Sequence, residues 1–329
     1  MSANLTPQYR KAEQAYRQAS SPEEELECLQ LMLREIPKHK GTDRLQADLK
    51  QKISKLKKEH SKAKPGGQKG TRRIPRQGAG RAVLLGPPNS GKSQLLESLT
   101  RAKPEIAHYP FTTSAPMPGM MPFEDIQVQL IDTPPVTSDF LDPTTQGLVR
   151  GADLVLLLVD LASDDCAEDT EAVIRRVEHT KTGLATASYL DEEDVGRSYT
   201  RTVAVLNKCD DPGAVDRREW LNEVYPLEFP QLVVSALEQT GLQELRKAVF
   251  EALDVVRVYT KMPHAKDPDF DKPFTIMRGE TLLQVAELIH KDVASNLKHA
   301  RVWGSQVHDA TTVKGDYVLA DRDVVEIHI

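Results

Sequence analysis

The sequence has few cysteines and no long apolar run, and these two absences narrow the class of protein. Only three cysteines occur among 329 residues, and Cys28, Cys166 and Cys209 stand far apart. Because disulfide frameworks and zinc sites show paired spacing, we expect reduced thiols in a cytoplasmic protein. The chain lacks both a stretch of about eighteen apolar residues and an N-terminal signal core, so we expect no membrane span.

Aromatic residues are also scarce, and the overall charge is negative. Phe, Trp and Tyr make up 5% of the chain, and the formal net charge is −6. This excludes a chain that binds nucleic acid through an overall positive charge. Basic residues nevertheless cluster between Lys50 and Arg76, with Glu59 as the only acid and no aromatic residue for base stacking. Two interpretations remain open: a solvated helix face with a flexible tether, or a contact for RNA phosphates.

Residues 1–77 are predicted to form a helical hairpin followed by a basic linker. Residues 26–36 and 45–56 carry apolar side chains at helical spacing on a narrow stripe. Ser21 and Pro22 suit the N-cap and the first position of the first of these helices. A glycine- and proline-rich stretch then leads out of the second helix.

The rest of the chain is predicted to form two domains. Residues 78–260 alternate short apolar runs with helical segments, which indicates a doubly wound α/β fold. Residues 261–329 contain short strand-like runs, one of them at 317–319, and one main helix that Thr281 caps. We therefore predict a small β-rich domain at the C-terminal end.

A phosphate-binding motif follows the first predicted strand and precedes a helix. It fits G-x-x-x-x-G-K-[ST] with Gly86, Pro87, Pro88, Asn89, Ser90, Gly91, Lys92 and Ser93. In this context backbone N–H groups and the helix N-terminus bind phosphate oxygens. We expect Lys92 to reach the β- and γ-phosphates and Ser93 to offer its hydroxyl to Mg²⁺. The motif alone does not separate ATP from GTP.

A second motif, Asn-Lys-Cys-Asp, follows a later buried strand and favours guanine. Asp210 can accept two hydrogen bonds from guanine N1–H and the exocyclic amine, whereas adenine has no such pair of donors. Lys208 can lie along the base face, and Asn207 can tie this loop to the phosphate loop. The segment Ser235, Ala236 and Leu237 also follows a strand and is expected to complete the base pocket.

Asp132 ends another apolar run and is followed by Thr133, Pro134 and Pro135. Proline lacks the N–H that a sheet ladder needs, so the strand must stop there. We expect the Asp132 carboxylate to hold Mg²⁺ through water, and the following residues to wrap the γ-phosphate.

Together these segments and Tyr-Pro-Phe-Thr-Thr at 109–113 resemble the Obg-like family of translation-associated GTPases, most closely its DRG-type branch. The resemblance implies that Phe111, Thr112 and Thr113 belong to the first switch, with Thr113 ligating Mg²⁺ when the γ-phosphate is bound. Residues 278–282 and 321–327 are similar to a TGS domain, a ubiquitin-like β-grasp module. The 160–202 stretch is too short for the domain that this branch usually carries there, which indicates a reduced or bacterial relative.

The resemblance implies slow Mg²⁺-dependent GTP hydrolysis in a switch that works with the ribosome or RNA. The basic hairpin and the TGS-like domain would supply the surface that contacts the ribosome or RNA. A protein regulator of the switch is a further partner that the resemblance implies. It also implies K⁺ between the phosphates, held by Asn89, with Asn89, Lys92 and Thr113 as the catalytic set. An ordinary loop role for Asn89 stays open.

Two residues depart from the expected second switch. Pro135 stands where family members have glycine, so the N–H that would donate to the γ-phosphate is missing. Val136, whose N–H is a candidate replacement, occupies the place of a water-orienting glutamine. The alternative function is a nucleotide-gated RNA- or protein-binding module with negligible hydrolysis. An ATP-dependent kinase or ATPase is disfavoured by Asp210. Arg150 is interpreted as a surface arginine.

Overall fold

The N-terminal residues form a small helical bundle in the computed structural model of the chain. The structure describes residues 6–19, 22–37, 42–62, 74–100, 115–191, 194, 197–263, 265 and 267–329. Helices α2 (Pro22–Glu35) and α3 (Asp43–Lys62) are the predicted hairpin. A further helix, α1 (Pro7–Gln18), begins after Thr6, whose hydroxyl accepts a hydrogen bond from the Tyr9 N–H. The predicted Ser21 cap lies outside the described residues.

A mixed sheet of eight strands, counted over the described residues, forms the central domain. The strands are β1 (Arg81–Leu85), β2 (Met117–Phe123), β3 (Ile126–Asp132), β4 (Leu154–Asp160), β5 (Thr182–Ala185), β6 (Tyr189–Leu190), β7 (Ser198–Asn207) and β8 (Gln231–Val233). Their order is β2-β3-β1-β4-β7-β5, with β6 and β8 also paired to β7. Strands β2 and β6 run antiparallel to their neighbours, and the remaining pairs are parallel.

Helices cover both faces of this sheet, which confirms the doubly wound architecture. Helices α4 (Lys92–Leu99) and α8 (Leu242–Leu253) pack on one face. Helices α5 (Pro143–Arg150), α6 (Cys166–Glu178) and α7 (Ala214–Val224) pack on the other. Strands β1 and β4 are buried along their whole length, as expected of central parallel strands. The carboxyl ends of β1, β3 and β7 therefore meet at one edge.

A second sheet of five strands, counted over the same described residues, forms the C-terminal domain. Its strands are β9 (Val255–Thr260), β10 (Asp269–Met277), β11 (His299–Gly304), β12 (Val307–Val313) and β13 (Asp323–His328), in the order β10-β9-β13-β11-β12. Helices α9 (Leu282–Ile289) and α10 (Lys291–Ser295) accompany it. Thr281 caps α9 in a capping box with Gln284. The outer strands around a parallel central pair form a β-grasp arrangement.

Two sequence expectations for this region differ from the structure. Residues 317–319 are not a strand: Val318 makes one isolated bridge to Thr281, and the Leu319 N–H donates to the Glu280 carbonyl, so the segment pairs with the start of α9. Strand β9 belongs to the second sheet, although the predicted boundary after residue 260 leaves it in the preceding domain. The domain boundary itself stays a prediction.

Arg257 joins the C-terminal sheet to the β2–β3 turn of the central domain. Its side chain is only 4% exposed and forms ion pairs with Asp321 at 2.6 Å and Asp125 at 3.0 Å, and with Glu124. The hydrogen bonds that the Arg257 guanidinium donates to Asp321, Glu124 and Asp125 raise its pKa despite its burial. Because three carboxylates surround one buried cation, this contact fixes the two domains against each other.

Arg150, in the last turn of α5, joins the N-terminal bundle to the central domain. Its guanidinium lies 4.2 Å from the centre of the Tyr16 ring, and it pairs with Glu25 at 2.7 Å. The side chain is 11% exposed, so the interpretation of a surface arginine is wrong. Over the described residues, no helix combines the length and the apolar character that crossing a membrane would require.

Candidate functional site

The phosphate-binding motif forms the loop between β1 and α4, and glycine is required at its end. Gly91 has φ of +85°, and a Cβ at this position would lie 2.3 Å from the Asn207 Nδ2 atom. Only glycine combines this left-handed backbone with so close an approach. Asn89 also has a positive φ, +60°, which asparagine tolerates better than most residues. The backbone conformation of the phosphate loop therefore depends on glycine at position 91 and is compatible with asparagine at position 89.

Lys92 begins α4 and turns its ammonium group back into the loop. Its Nζ atom donates to the carbonyl oxygens of Gly86 at 3.1 Å and Pro87 at 2.7 Å. Lys92 is 7% exposed, and this burial lowers the pKa of its ammonium group to about 8. Phosphate oxygens would be stronger partners than these two carbonyls, because they carry full charge.

Ser93 and Asp132 meet where a magnesium ion would be needed. The Ser93 hydroxyl donates to Asp132 Oδ2 at 2.5 Å, and the other carboxylate oxygen is buried without a hydrogen-bond partner. Burial raises the pKa of Asp132, although the Ser93 hydrogen bond and the Lys92 charge oppose it. A hydroxyl beside a carboxylate with one unsatisfied oxygen suits Mg²⁺, which prefers oxygen ligands. These two residues fit the ion.

The segment after Asp132 packs onto the phosphate loop rather than standing free. The Thr133 hydroxyl donates to the Leu84 carbonyl at 2.7 Å, so it joins β3 to β1. The Val136 N–H donates to the Gly86 carbonyl at 3.1 Å, and the Val136 side chain is buried in the core. Pro134 is half-buried and Pro135 is exposed. The N–H that was a candidate replacement for the missing glycine is therefore engaged in this conformation.

Asn207 connects the base-recognition residues to the phosphate loop. Its Nδ2 donates to the Ser90 carbonyl at 2.9 Å, and its Oδ1 accepts the Ala236 N–H at 3.0 Å. Asn207, Ser235 and Ala236 are buried, whereas Asp210 and Leu237 are exposed at the rim. One buried side chain thus brings together three segments that are remote in the sequence.

Lys208 has a partner that sequence reasoning missed. Its ammonium group lies 2.6 Å from Asp160 Oδ2, and Asp160 is a buried residue at the end of β4. The signal that could have identified Asp160 is its position directly after the continuous apolar run at 154–159, as the last residue of β4. This ion pair holds Lys208, whose φ is +64°, in place.

A cavity of about 540 Å³ opens beside the phosphate loop. Pro88 and Asn89 line one side, and the 136–138 segment, the end of β4 and the start of α6 line the others. The expected first switch, with Phe111, Thr112 and Thr113, lies outside the described residues. Among the described side chains, no cluster of three or more His, Cys, Asp or Glu residues is arranged to hold a metal. Mg²⁺ would therefore depend on phosphate oxygens as well as Ser93 and Asp132.

Comparisons with known proteins agree with this arrangement. Residues 81–190 match the model of the 50S ribosome-binding GTPase family, and residues 256–329 match the TGS domain. An uncharacterized GTP-binding protein of Methanocaldococcus jannaschii is 29% identical over 93% of both chains. Developmentally-regulated G-protein 1 of Arabidopsis thaliana is 28% identical over 88% of this chain and 87% of its own.

A solved structure shows the same fold. The YchF GTPase of Schizosaccharomyces pombe aligns with 77% of this chain and 99% of its own, with a TM-score of 0.53 and 14% identity. At this low identity, the structural likeness supports only the fold. The evidence on the family comes from the sequence relatives. The chain therefore contains a domain of the 50S ribosome-binding GTPase family followed by a TGS domain, and its sequence relatives are GTP-binding proteins of the DRG type, which fits the resemblance to the Obg-like family.

Proposed function

We propose that this protein is a slow, Mg²⁺-dependent GTP hydrolase that acts as a switch in ribosome- or RNA-associated work in the cytoplasm. The observation that carries the proposal is the pair of hydrogen bonds made by Asn207. They join the loop that would recognise guanine to the loop that would bind the triphosphate, so one ligand can engage both.

The residues divide the chemistry as follows. Asp210 would accept hydrogen bonds from guanine, and Lys92 with the loop N–H groups would neutralise the phosphates. Ser93, Asp132 and Thr113 would hold Mg²⁺, which neutralises charge on the β- and γ-phosphates when it is bound. Asn89 would hold K⁺, which supplies positive charge near the same oxygens. Val136 cannot orient water, because its side chain is apolar and buried.

The structure also supports a path from the nucleotide to the N-terminal bundle. The 133–142 segment, which begins beside the phosphate loop, leads directly into α5, and Arg150 at the end of α5 contacts Glu25 and Tyr16 of the bundle. A change in the second switch would therefore move a helix that is bonded to the bundle. We propose that nucleotide state sets the affinity of the bundle for its target by this route.

Among the cations of the basic run that the structure describes, two are engaged within the chain. Lys50 is exposed on α3, but Lys52 is half-buried, and burial lowers its pKa to about 8. Arg76 pairs with Asp153 at 2.8 Å within the chain. We propose that Lys50, with the TGS domain, contributes to an RNA-facing surface, and that Lys52 and Arg76 have structural roles.

Co-sedimentation with ribosomes tests the proposal. The protein is incubated with GDP or with a nonhydrolysable GTP analogue over a salt series, and the bound fraction is measured. We expect more binding with the GTP analogue and a steady loss with salt, because phosphate contacts release counterions. Lys50→Gln should weaken binding, whereas Lys247→Gln on the exposed face of α8 should not. Binding that does not depend on the nucleotide, or no binding at low salt, would contradict the switch.

Single-turnover GTP assays with and without ribosomes measure the hydrolysis separately.

A further inference from the structure

A second cavity, of about 210 Å³, lies where the three parts of the chain meet. The last turns of α1 line it from the bundle, and Met277 of β10 lines it from the TGS domain. The central domain contributes residues 151–153, Arg201 of β7 and the C-terminal end of α8. It shares no residue with the phosphate loop or the base pocket, so the nucleotide site does not explain it.

The two carboxylates that line this cavity already have partners. Asp153 pairs with Arg76 at 2.8 Å and accepts the Arg81 backbone N–H at 2.8 Å. Asp254 pairs with Arg278 at 2.9 Å. Both acids therefore form their ion pairs with other cations, although the charge of Asp153 still acts on Arg17.

The two arginines that line the cavity, Arg17 and Arg201, have no such compensation. Neither forms an ion pair with a described side chain, and the Arg17 Nε atom is buried without a hydrogen-bond partner. Arg201 donates to the Ala252 carbonyl at 2.5 Å, which carries no net charge. Burial lowers the pKa of Arg17, and the positive charges of Arg76 and Arg201 act in the same direction, against Asp153. Two half-buried cations that share one cavity and form no ion pair of their own are costly unless an anion joins them.

We propose that this cavity binds a small divalent oxyanion, of the phosphate or carboxylate type, between Arg17 and Arg201. Guanidinium groups present forked N–H donors that match both kinds of oxygen acceptor. The cavity is smaller than the roughly 300–1,000 Å³ typical of drug-sized ligands, which favours a small free anion over a polymer. Because all three parts of the chain line it, a bound anion stabilises their docked arrangement.

Calorimetric titration of the full chain tests the site. The protein is saturated with GDP and Mg²⁺, so that the phosphate loop is filled, and is then titrated with inorganic phosphate or malonate at constant ionic strength. We expect one site per chain, with affinity reduced at least tenfold in Arg17→Gln and in Arg201→Gln. Arg10→Gln removes an exposed charge from the same helix and should bind like the wild type. Tighter binding of phosphate assigns the phosphate class, and tighter binding of malonate assigns the carboxylate class.

Two results would overturn the site: no saturable binding of either anion, or equal affinity in all the variants. Circular dichroism and GDP titration check that each variant is folded and has an intact nucleotide site. If a variant does not fold, hydrogen–deuterium exchange on the wild type decides. The preferred anion should slow exchange in α1 and in the segment that contains Ala187 and Ser188, which also line the cavity, and unchanged exchange in both would refute the proposal.

Discussion

The backbone N–H of Val136 donates a hydrogen bond to the carbonyl oxygen of Gly86, at 3.1 Å. Val136 directly follows Pro135, so this bond joins the second switch to the phosphate loop. Because Pro135 has no N–H and Val136 has already committed its own, no backbone donor from these two residues faces the γ-phosphate in this conformation.

Pro135→Gly should therefore increase the preference for GTP over GDP. The restored N–H would make one charge-assisted hydrogen bond, worth about 1.5–3 kcal/mol, which corresponds to roughly a tenfold or larger change in the affinity ratio. Titration of both nucleotides against each variant measures it. Pro134→Gly is the control for added backbone flexibility. An affinity ratio that is the same in wild type and Pro135→Gly would show that the proline does not weaken the sensor.

Asp210→Asn should lower the affinity for GTP by about two orders of magnitude. An asparagine offers one acceptor and a donor in place of two acceptors, so one guanine N–H loses its partner and another meets a donor. Competition of GTP, GDP and ATP against a fluorescent nucleotide measures the change. Asp216→Asn, on the exposed start of α7, is the matched control. Strong ATP binding by the wild type would contradict the role of Asp210.

Lys92 makes nucleotide affinity depend on pH above neutrality. Burial lowers the pKa of this ammonium group to about 8 in the free protein, whereas bound phosphates would favour the charged form. Below pH 8 the group is already protonated, so affinity should be level. Above pH 8 binding must take up a proton, and affinity should fall by up to about tenfold per pH unit. Lys92→Arg does not titrate in this range, so its inflection should vanish. A level profile in the wild type would show that the lysine is not neutralised there.

Potassium should accelerate GTP turnover relative to sodium if Asn89 holds the ion. Asparagine at this position also has a purely structural explanation, because its backbone φ is +60°. The variant must therefore preserve that backbone conformation. Asn89→Gly tolerates the same positive φ and removes the side chain with its carboxamide. We expect turnover at least about tenfold faster in K⁺ than in Na⁺ for the wild type, and a ratio near one for Asn89→Gly. Equal wild-type rates in the two salts would dismiss the ion.

Arg150→Met should loosen the N-terminal bundle. It removes the ion pair with Glu25 and the contact with the Tyr16 ring while keeping most of the side-chain volume. We expect the free energy of unfolding to fall by about 2 kcal/mol, because both contacts are largely shielded from water. Urea unfolding measures it. Arg175→Met removes an exposed helix pair with Glu171 and should change stability by less than about 0.5 kcal/mol. Similar losses in both variants would argue against a special role for Arg150.

Local patterns predicted the central fold, and they indicated which residues to consider for the nucleotide site. Continuous apolar runs marked the buried parallel strands β1 and β4, because those strands contact helices on both faces. The phosphate loop was visible because its glycines, lysine and serine act within eight consecutive positions. Strand β12 is missed, because most of its side chains are exposed and polar and show no apolar alternation. Helix α1 is not identified as a separate helix, because its buried face consists of tyrosine and alanine rather than of leucine and isoleucine. Residues 317–319 were assigned to a strand because their apolar character comes from packing beside α9.

What the sequence determined by itself is the identity of most local elements and the residue types at the nucleotide loops, because these depend on neighbours a few positions away. Only the tertiary structure decided which remote groups meet. Asn207 reaches Ser90 and Ala236, Lys208 pairs with Asp160, and Arg17 shares a cavity with Arg201. Such contacts depend on the order of strands in the sheet and on the docking of domains. A local pattern of residues does not contain this information, because it reports only on neighbours in the sequence.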